Sequence, residues 1–208
     1  MSRYTGPVCR LCRAEGTKLF LKGDRCYAEK CGLTKRNSRP GQHGTRRSKM
    51  SEYGLRLREK QKLRRFYGLN ESQFSNVYKK ASMLPGQTGH NFLQLLECRI
   101  DNIVYRLGFG VSRSQSRQLV THGHFTVNGR KLDIPSALLK AGDVITVAEG
   151  SREVVLLKEN SEAAAVRAIP TWLSFSPDSM TGNLLTLPIR EQIEVPVNEQ
   201  LVVEFYAR

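Results

Sequence analysis

Five cysteines carry the most distinctive chemistry in this chain, and four of them form two close pairs. Two residues separate Cys9 from Cys12, thirteen residues follow, and four residues then separate Cys26 from Cys31. Two thiol pairs joined by a short loop are typical of a four-thiolate metal site. The apolar side chains nearby are too few to close a core, whereas bound zinc supplies roughly 10–16 kcal/mol of apparent binding free energy. We therefore expect one Zn²⁺ ion held by these four cysteines.

Other interpretations of the thiols stay open at this point. Four cysteines can equally hold an iron–sulfur cluster, and the spacing does not choose between the two. A thioredoxin-type redox pair would need a surrounding βαβ pattern, which the sequence lacks. Cys98 lies outside the cluster on a predicted helix, where a small buried hydrophobe is expected. Because no export signal or apolar run of about 20 residues is visible, we expect a reducing compartment and no disulfides.

Basic residues are the second chemical feature, since the net charge is +14. Residues 1–50 hold 13 Lys or Arg against 3 Asp or Glu, and residues 51–90 hold 8 against 3. The ratio falls to 7 against 5 in residues 91–150 and reverses to 5 against 8 in residues 151–208. This gradient predicts a polyanionic partner, RNA in particular, with most of the electrostatic affinity in the N-terminal part.

Two basic segments supply most of the candidate RNA contacts. Residues 34–49 have almost no apolar side chain, which predicts a turn-rich contact loop that orders on RNA, or alternatively a flexible linker. Residues 51–67 predict a basic amphipathic helix capped by Ser51. The side chains expected to bind RNA in the N-terminal part are Arg3, Lys35, Arg36, Arg39, Gln42, His43, Arg46, Arg47, Lys49, Arg56, Arg58, Lys62, Arg64 and Arg65.

Residues 99–131 predict a compact unit of two short helices and a hairpin. Ser112 is placed to cap the second helix, and Gly123 to end it in the left-handed conformation. Asn128-Gly129 predicts a type I′ turn. Two arginines four residues apart share one face of the second helix, which we expect to meet RNA while the other face packs on a core. The expected contacts of this unit are Arg106, Arg113, Arg117, His122 and Lys131.

The remaining pattern predicts an α+β fold in three domains. Residues 1–45 would form the N-terminal four-cysteine metal knuckle and basic loop, with a short strand at Lys18–Lys22. Residues 46–95 would form a mostly helical domain completed by the C-terminal residues 175–208. Residues 96–174 would form an inserted RNA-binding domain of two helices and a small β-sheet. Further helices are expected at 70–83 and 90–107, and strands at 144–147 and 153–158.

The sequence contains no motif that indicates an enzyme. A Gly-rich phosphate loop with lysine, a G-x-S-x-G elbow and paired carboxylates are all missing from the sequence. His122 and His124 flank Gly123 at a helix end, and we interpret them as polar or phosphate contacts. We therefore expect no catalytic residue, no small-molecule substrate and no membrane partner. An RNA-modifying enzyme and a zinc-dependent DNA-binding regulator remain the alternative functions.

Several segments together resemble the bacterial small-subunit ribosomal protein four family, in its zinc-knuckle type. They are the opening MSRYTGPVCRLCR, LKGDRC, PGQHG, SRSQSRQLVTHGHFTVNG, the WL pair at Trp172 and the closing VNEQLVVEFYAR. This resemblance implies that the inserted domain is an α-L RNA-binding motif domain. The same motif also occurs in pseudouridine synthases and tyrosyl-tRNA synthetases, but those enzymes need a catalytic domain for which this chain has no room.

The resemblance also implies a role. Members are primary rRNA-binding proteins that bind a multi-helix junction in the 5′ domain of small-subunit rRNA, nucleate assembly and contribute to translational accuracy. They contact neighbouring ribosomal proteins near the path by which mRNA enters, some repress their own mRNA, and they are cytoplasmic and ribosome-bound. The zinc pattern carries over onto Cys9, Cys12, Cys26 and Cys31, although many relatives lack these cysteines.

Overall fold

The computed structural model describes residues 4–46, 49–165 and 169–207. The chain divides into two units, with Met1–Phe92 and Val195–Arg208 in unit 1 and Leu93–Glu194 in unit 2. Within the described residues, no helix has the length and apolar character needed to cross a membrane.

Unit 1 begins with short helical turns rather than a strand. Helix α1 (Cys9–Glu15) ends at Gly16, a 3-10 turn covers Gly23–Cys26, and α2 spans Gly32–Lys35. The predicted strand at Lys18–Lys22 is wrong. Phe20 has φ 51°, which an extended strand cannot contain, and its ring stacks on Tyr27 with centroids 5.0 Å apart.

Three longer helices form the rest of unit 1: α3 (Glu52–Phe66), α4 (Glu71–Ser82) and α9 (Glu199–Tyr206). The predicted cap at Ser51 is confirmed, because its side chain accepts from the Gly54 amide at 3.1 Å, and Asn70 caps α4 in the same way by accepting from the Gln73 amide at 2.9 Å. Aromatic rings join the helices. Phe74 meets Phe92 edge-on at 4.9 Å, and Tyr78 stacks on Tyr206 at 4.5 Å.

Helix α5 (Thr88–Glu97) runs from unit 1 into unit 2, where α6 (Ile100–Arg106) follows. The prediction of one helix over 90–107 is therefore wrong. The break has a tertiary cause: the Ile100 amide donates to the Ala137 carbonyl at 3.0 Å, and the Leu139 amide to the Cys98 carbonyl at 2.9 Å. Pairing with the 135–139 segment thus replaces intrahelical bonds at the junction.

The rest of unit 2 combines helices with a five-stranded antiparallel sheet. Helices α7 (Arg113–Thr121) and α8 (Val155–Ala165) accompany strands in the order β2-β1-β3-β5-β4. The strands are β1 (Phe125–Val127), β2 (Arg130–Lys131), β3 (Val144–Val147), β4 (Leu173–Ser176) and β5 (Thr181–Leu184).

Two predictions about unit 2 need correction. The segment 153–158 begins α8 instead of a strand, because Leu157, Ser161 and Ala164 recur at helical spacing and all are buried. The predicted domain boundary at 174 is also wrong, since β5 pairs with β3 and so keeps residues up to Glu194 in unit 2. The sheet's hydrogen bonds, which sequence spacing does not reveal, set this boundary.

The core of unit 2 lies where α6 and α7 pack with the sheet. Phe109, Phe125 and Trp172 are almost fully buried there. Leu107 approaches the sheet so closely at Gly182 that a Cβ on this glycine would lie 2.4 Å from the leucine Cδ1. The close distance between Leu107 and the sheet therefore depends on glycine at position 182, which has no side chain.

The predicted helix-and-hairpin motif of 99–131 is confirmed in its local details. Ser112 caps α7, and Gly123 follows the helix with φ 75°. The two turn residues Asn128 and Gly129 have φ 50° and 78°, as a type I′ turn requires. The local turn and cap signals are thus sufficient to fix this motif.

Candidate RNA interface

The four paired cysteines lie in the small subdomain formed by α1, the 3-10 turn and α2. Cys12, Cys26 and Cys31 are buried and Cys9 is partly exposed. The Lys22 amide lies 3.3 Å from the Cys26 Sγ, and Gly32 packs against Cys9, whose Sγ would be 3.3 Å from an added Cβ. Backbone N–H groups and small residues therefore surround the sulfurs.

Thiol acidity differs within this subdomain. Burial raises the pKa of Cys12, and the neighbouring Cys26, Cys9 and Cys31 raise it further against the hydrogen bond to the Leu19 backbone. Burial also acts to raise the pKa of Cys31, but hydrogen bonds from the backbone of Leu33 and Thr34 outweigh it and lower the pKa. In the described residues, no three His, Cys, Asp or Glu side chains are grouped so that they could hold a metal ion.

A basic groove of about 580 Å³ lies beside Cys9. Of the residues that the structure describes, Pro7, Cys9, Gly32, Pro40 and Gly41 line it together with six cationic residues. We use the name basic groove for this concavity and its six cations: Arg10, Arg13, Arg25, Lys30, Lys35 and Arg36. Because the described part of its wall carries no carboxylate, the groove is suited to phosphate.

Sequence reasoning missed four of the six groove cations, Arg13 among them. Lys35 and Arg36 were predicted contacts, whereas Arg10, Arg25 and Lys30 were not, because they are scattered singly among the cysteines. All three are exposed. The available signal was the excess of Lys and Arg between and beside the thiols, which the fold concentrates on one concavity.

The basic loop after α2 also presents its predicted contacts to solvent. Gly41 has φ 111°, and Gly44 lies so close to the Arg39 carbonyl oxygen that an added Cβ would be 1.9 Å from it. This contact makes the turn compact. The exposed side chains here are Lys35, Arg36, Arg39, Gln42, His43, Arg46 and Lys49, while Arg3 and Arg47 lie outside the described residues.

Cations on α3 are engaged by acidic residues from elsewhere in unit 1. Glu15, whose side chain is 1% exposed, pairs with Arg65 and lies 3.5 Å from Arg58. Arg56 donates to Glu204 at 2.6 Å and lies 3.4 Å from Glu52. The helix is therefore a less accessible phosphate surface than its sequence suggests.

The other cations of α3 follow the same pattern. Lys62 pairs with Glu59 three residues earlier, and Arg64 lies 3.6 Å from Glu71. Lys60 is 4% exposed and donates to Glu71 at 2.8 Å, with the Phe205 ring 4.6 Å away. Burial lowers the pKa of Arg65. Burial also raises the pKa of Glu15, although the positive charges of Arg65 and Arg58 act to lower it.

The predicted arginine face of α7 is wrong in one respect, since Arg113 is only 8% exposed. Its Nε donates to the Asn102 side-chain oxygen at 2.9 Å, and its guanidinium lies 4.4 Å from the centre of the Tyr105 ring. Arg117 is partly exposed and donates to Asp101 at 2.7 Å, beside the bidentate Arg99–Asp101 pair. These contacts join α7 to α6.

Arg106 also has an internal partner, because it donates through Nε and Nη2 to Glu97 at 3.0 and 2.7 Å. The Glu97 side chain is completely buried, so this ion pair is a structural contact inside unit 2. Of the five predicted contacts in this unit, His122 and Lys131 remain fully exposed.

A smaller exposed surface remains at the hairpin. Lys131 crosses Gly123, where an added Cβ would be 2.3 Å from the lysine Cε, and Arg130 beside it is exposed. His124 Nδ1 lies 2.9 Å from the Ser151 hydroxyl. Burial, with help from His122 and Lys131, lowers the pKa of His124, which keeps this imidazole neutral near pH 7.

Comparison with known proteins matches nearly the whole chain. Residues 3–97 match the family described as ribosomal protein S4/S9 N-terminal domain, and residues 98–145 match the S4 domain. Proteins named small ribosomal subunit protein uS4 align over the full length of both chains. Those from Pelotomaculum thermopropionicum and Pelobacter propionicus are 58% and 57% identical over 208 residues, and one from Thermus thermophilus is 57% identical over 209.

Proposed function

This chain belongs to the uS4 family of small ribosomal subunit proteins, and from this membership we propose how its surfaces serve the small subunit. The protein is a structural, rRNA-binding component of that subunit and is not an enzyme. Its partners are rRNA and other ribosomal proteins. Full-length identity of more than half to relatives of that name is what supports this role.

The basic groove is the observation that carries the proposed binding mode. Its cations line a concavity whose described wall holds no carboxylate, whereas the described cations of α3 and α6 lie against Glu15, Glu59, Glu71, Glu97 or Glu204. An internal ion pair must be broken before its cation can neutralise a phosphate, and this cost falls on the cations of α3 and α6. The groove and the following loop therefore supply most of the phosphate contacts, and the hairpin end with His122, Arg130 and Lys131 supplies others.

The finer role follows the family. The proposed RNA element is a multi-helix junction in the 5′ domain of small-subunit rRNA. Early binding there nucleates assembly. Contacts with neighbouring ribosomal proteins near the path of mRNA into the subunit contribute to translational accuracy, and binding of its own mRNA would allow autoregulation.

Footprinting the full chain on small-subunit rRNA tests this proposal. Protection should fall on the 5′ domain, and binding should weaken with salt by roughly 0.7–0.9 in log K per log salt for each phosphate contact. Large-subunit rRNA and duplex DNA serve as matched competitors. Affinity that is insensitive to salt, or equal competition by duplex DNA, would count against the role.

We further propose that one zinc ion binds Cys9, Cys12, Cys26 and Cys31. The donor chemistry fits, because four thiols lie in one subdomain and the Lys22 amide is placed to donate to the Cys26 sulfur. Bound as four thiolates, zinc would supply structural cross-linking and no redox chemistry. The described side chains do not form a closed ligand set, so α1 and α2 would have to draw together around the ion.

Elemental analysis with an optical spectrum decides the metal. We expect one zinc per chain and no visible chromophore; a charge-transfer band with iron and sulfide would instead indicate an iron–sulfur cluster. Neither metal in protein purified without chelators would refute the site. Cys98 serves as the internal control for thiol titration, because burial raises its pKa to about 12 and makes it unreactive.

A further inference from the structure

Arg13 differs from the other cations of the basic groove in what its guanidinium contacts. Its Nε donates to the Ser38 carbonyl at 3.0 Å, and its Nη2 lies 3.4 Å from the Arg39 carbonyl. Through Arg13, helix α1 thereby contacts two successive backbone carbonyls of the loop that follows α2. A planar guanidinium can hold two carbonyls at once, which a lysine ammonium on a flexible stem does less well.

The Arg39 carbonyl that Arg13 contacts also lies where the loop is most closely packed. Gly44 packs directly against it, the Gly44 amide reaches the Gly41 carbonyl at 3.4 Å, and the Arg46 amide donates to the His43 carbonyl at 3.1 Å. Pro40 and Gly41, which directly follow the two residues that Arg13 contacts, form part of the groove wall. The position of Arg13 therefore determines both the wall and the course of the exposed Arg39.

We propose that Arg13 is a positioning residue of the RNA-binding surface, which holds residues 38–41 in place before RNA arrives. Its own charge is directed to backbone carbonyls, and it acts through the cations of the loop, Arg39 first. A loop ordered in advance loses less conformational entropy on binding, so its phosphate contacts yield more affinity. This inference rests on the proposed rRNA binding and adds the residue that preorganises the site.

The charge-conserving variant R13K separates positioning from charge. R152K is the matched control, because it makes the same charge-conserving change at an exposed arginine that lies outside the basic groove, the loop and the hairpin. Binding of the full chains to transcribed small-subunit rRNA is measured at several salt concentrations. Loss of the two carbonyl contacts should weaken binding by about tenfold or more in R13K, whereas R152K should stay within about twofold. Equal affinities of the two variants would overturn the proposal.

Adding R39Q to the wild type and to R13K tests whether Arg13 acts through the loop. In the wild type, R39Q should reduce the salt slope by about 0.7–0.9, as loss of one phosphate contact predicts. In the R13K background it should have a much smaller effect, since Arg39 is already misplaced. Additive effects would assign Arg13 an independent contact and refute positioning.

Hydrogen exchange of the RNA-free wild type gives a test that needs no variant to fold. The Gly44 and Arg46 amides should be protected before RNA is added; exchange at unprotected rates would show that the loop is not preformed and would overturn the proposal. A wild type that binds rRNA without salt dependence refutes the proposed binding mode, whereas a salt-dependent wild type with R13K equal to R152K refutes the positioning role alone.

Discussion

Arg113 Nε lies 2.9 Å from the side-chain oxygen of Asn102, and this hydrogen bond joins α7 to α6. Asn102 in turn donates through Nδ2 to the Glu97 carboxylate at 2.6 Å, and Glu97 also accepts from Arg106. A buried carboxylate needs such donors, because an ionised group out of water is costly unless it is paired. The network therefore fixes the relative positions of the two helices of this RNA-binding motif.

The first prediction concerns Arg113. R113A should lower the free energy of unfolding by about 2–3 kcal/mol, because it removes a buried, charge-assisted donor and the stacking on Tyr105. Denaturant unfolding checks this. The exposed Arg130 on the hairpin is the matched control, and R130A should leave stability within about 0.5 kcal/mol. An R113A protein as stable as the wild type would show that the network contributes little.

The second prediction compares a groove cation with an ion-paired one. R36Q should reduce the slope of log K against log salt by about 0.7–0.9, since it removes one phosphate contact from the groove. R56Q should leave the slope nearly unchanged, because Arg56 is held by Glu204 at 2.6 Å and by Glu52. Binding of rRNA across a salt series measures both. If R56Q reduced the salt slope more than R36Q does, the main RNA-contact surface would instead lie on α3.

Local signals in the sequence were sufficient for much of this fold. Ser51, Asn70 and Ser112 cap the helices that follow them, and Asn128-Gly129 makes the predicted turn. Each of these features depends on residues within a few positions of one another. A cap or a tight turn is therefore decided by short-range hydrogen bonds and φ preferences, which spacing alone reveals.

What sequence reasoning could not supply was long-range pairing. Two acidic partners of α3, Glu15 and Glu204, lie far away in the chain, and they help to neutralise a helix that is basic in sequence. The break at Cys98 likewise depends on backbone bonds to residues 135–139. No local pattern encodes which distant acid or carbonyl will be nearest.

The third prediction concerns acid stability through Glu71. Burial acts to raise the pKa of this carboxyl, but donors from Lys60 and Tyr206 outweigh it and lower the pKa below its ordinary 4.5. The unfolded state therefore binds the proton more readily, so the stabilisation is present above about pH 4.5 and is lost as pH falls through the lower, folded-state pKa.

Thermal unfolding of E71Q and wild type between neutral pH and pH 3 measures this contribution. The difference in stability between them should be largest at neutral pH and should shrink on acidification. E162Q, which changes an exposed glutamate on α8, is the control and should track the wild type. A pH-independent gap between E71Q and wild type would mean that Glu71 acts through shape and not through its charge.

The fourth prediction concerns the closed loop at Gly44. A Cβ at this position would lie 1.9 Å from the Arg39 carbonyl oxygen, and backbone cannot yield to it as a flexible side chain would, so G44A must open the turn. Because the loop lies at the surface, we expect the thermal midpoint to fall by only a few degrees. Affinity for rRNA should fall by about tenfold, as Arg39 and Arg46 lose their preformed positions. The control is G150A, since an added Cβ there meets no atom within 4 Å. Wild-type affinity in G44A would show that RNA binds equally well to an open loop and that closure adds nothing to recognition.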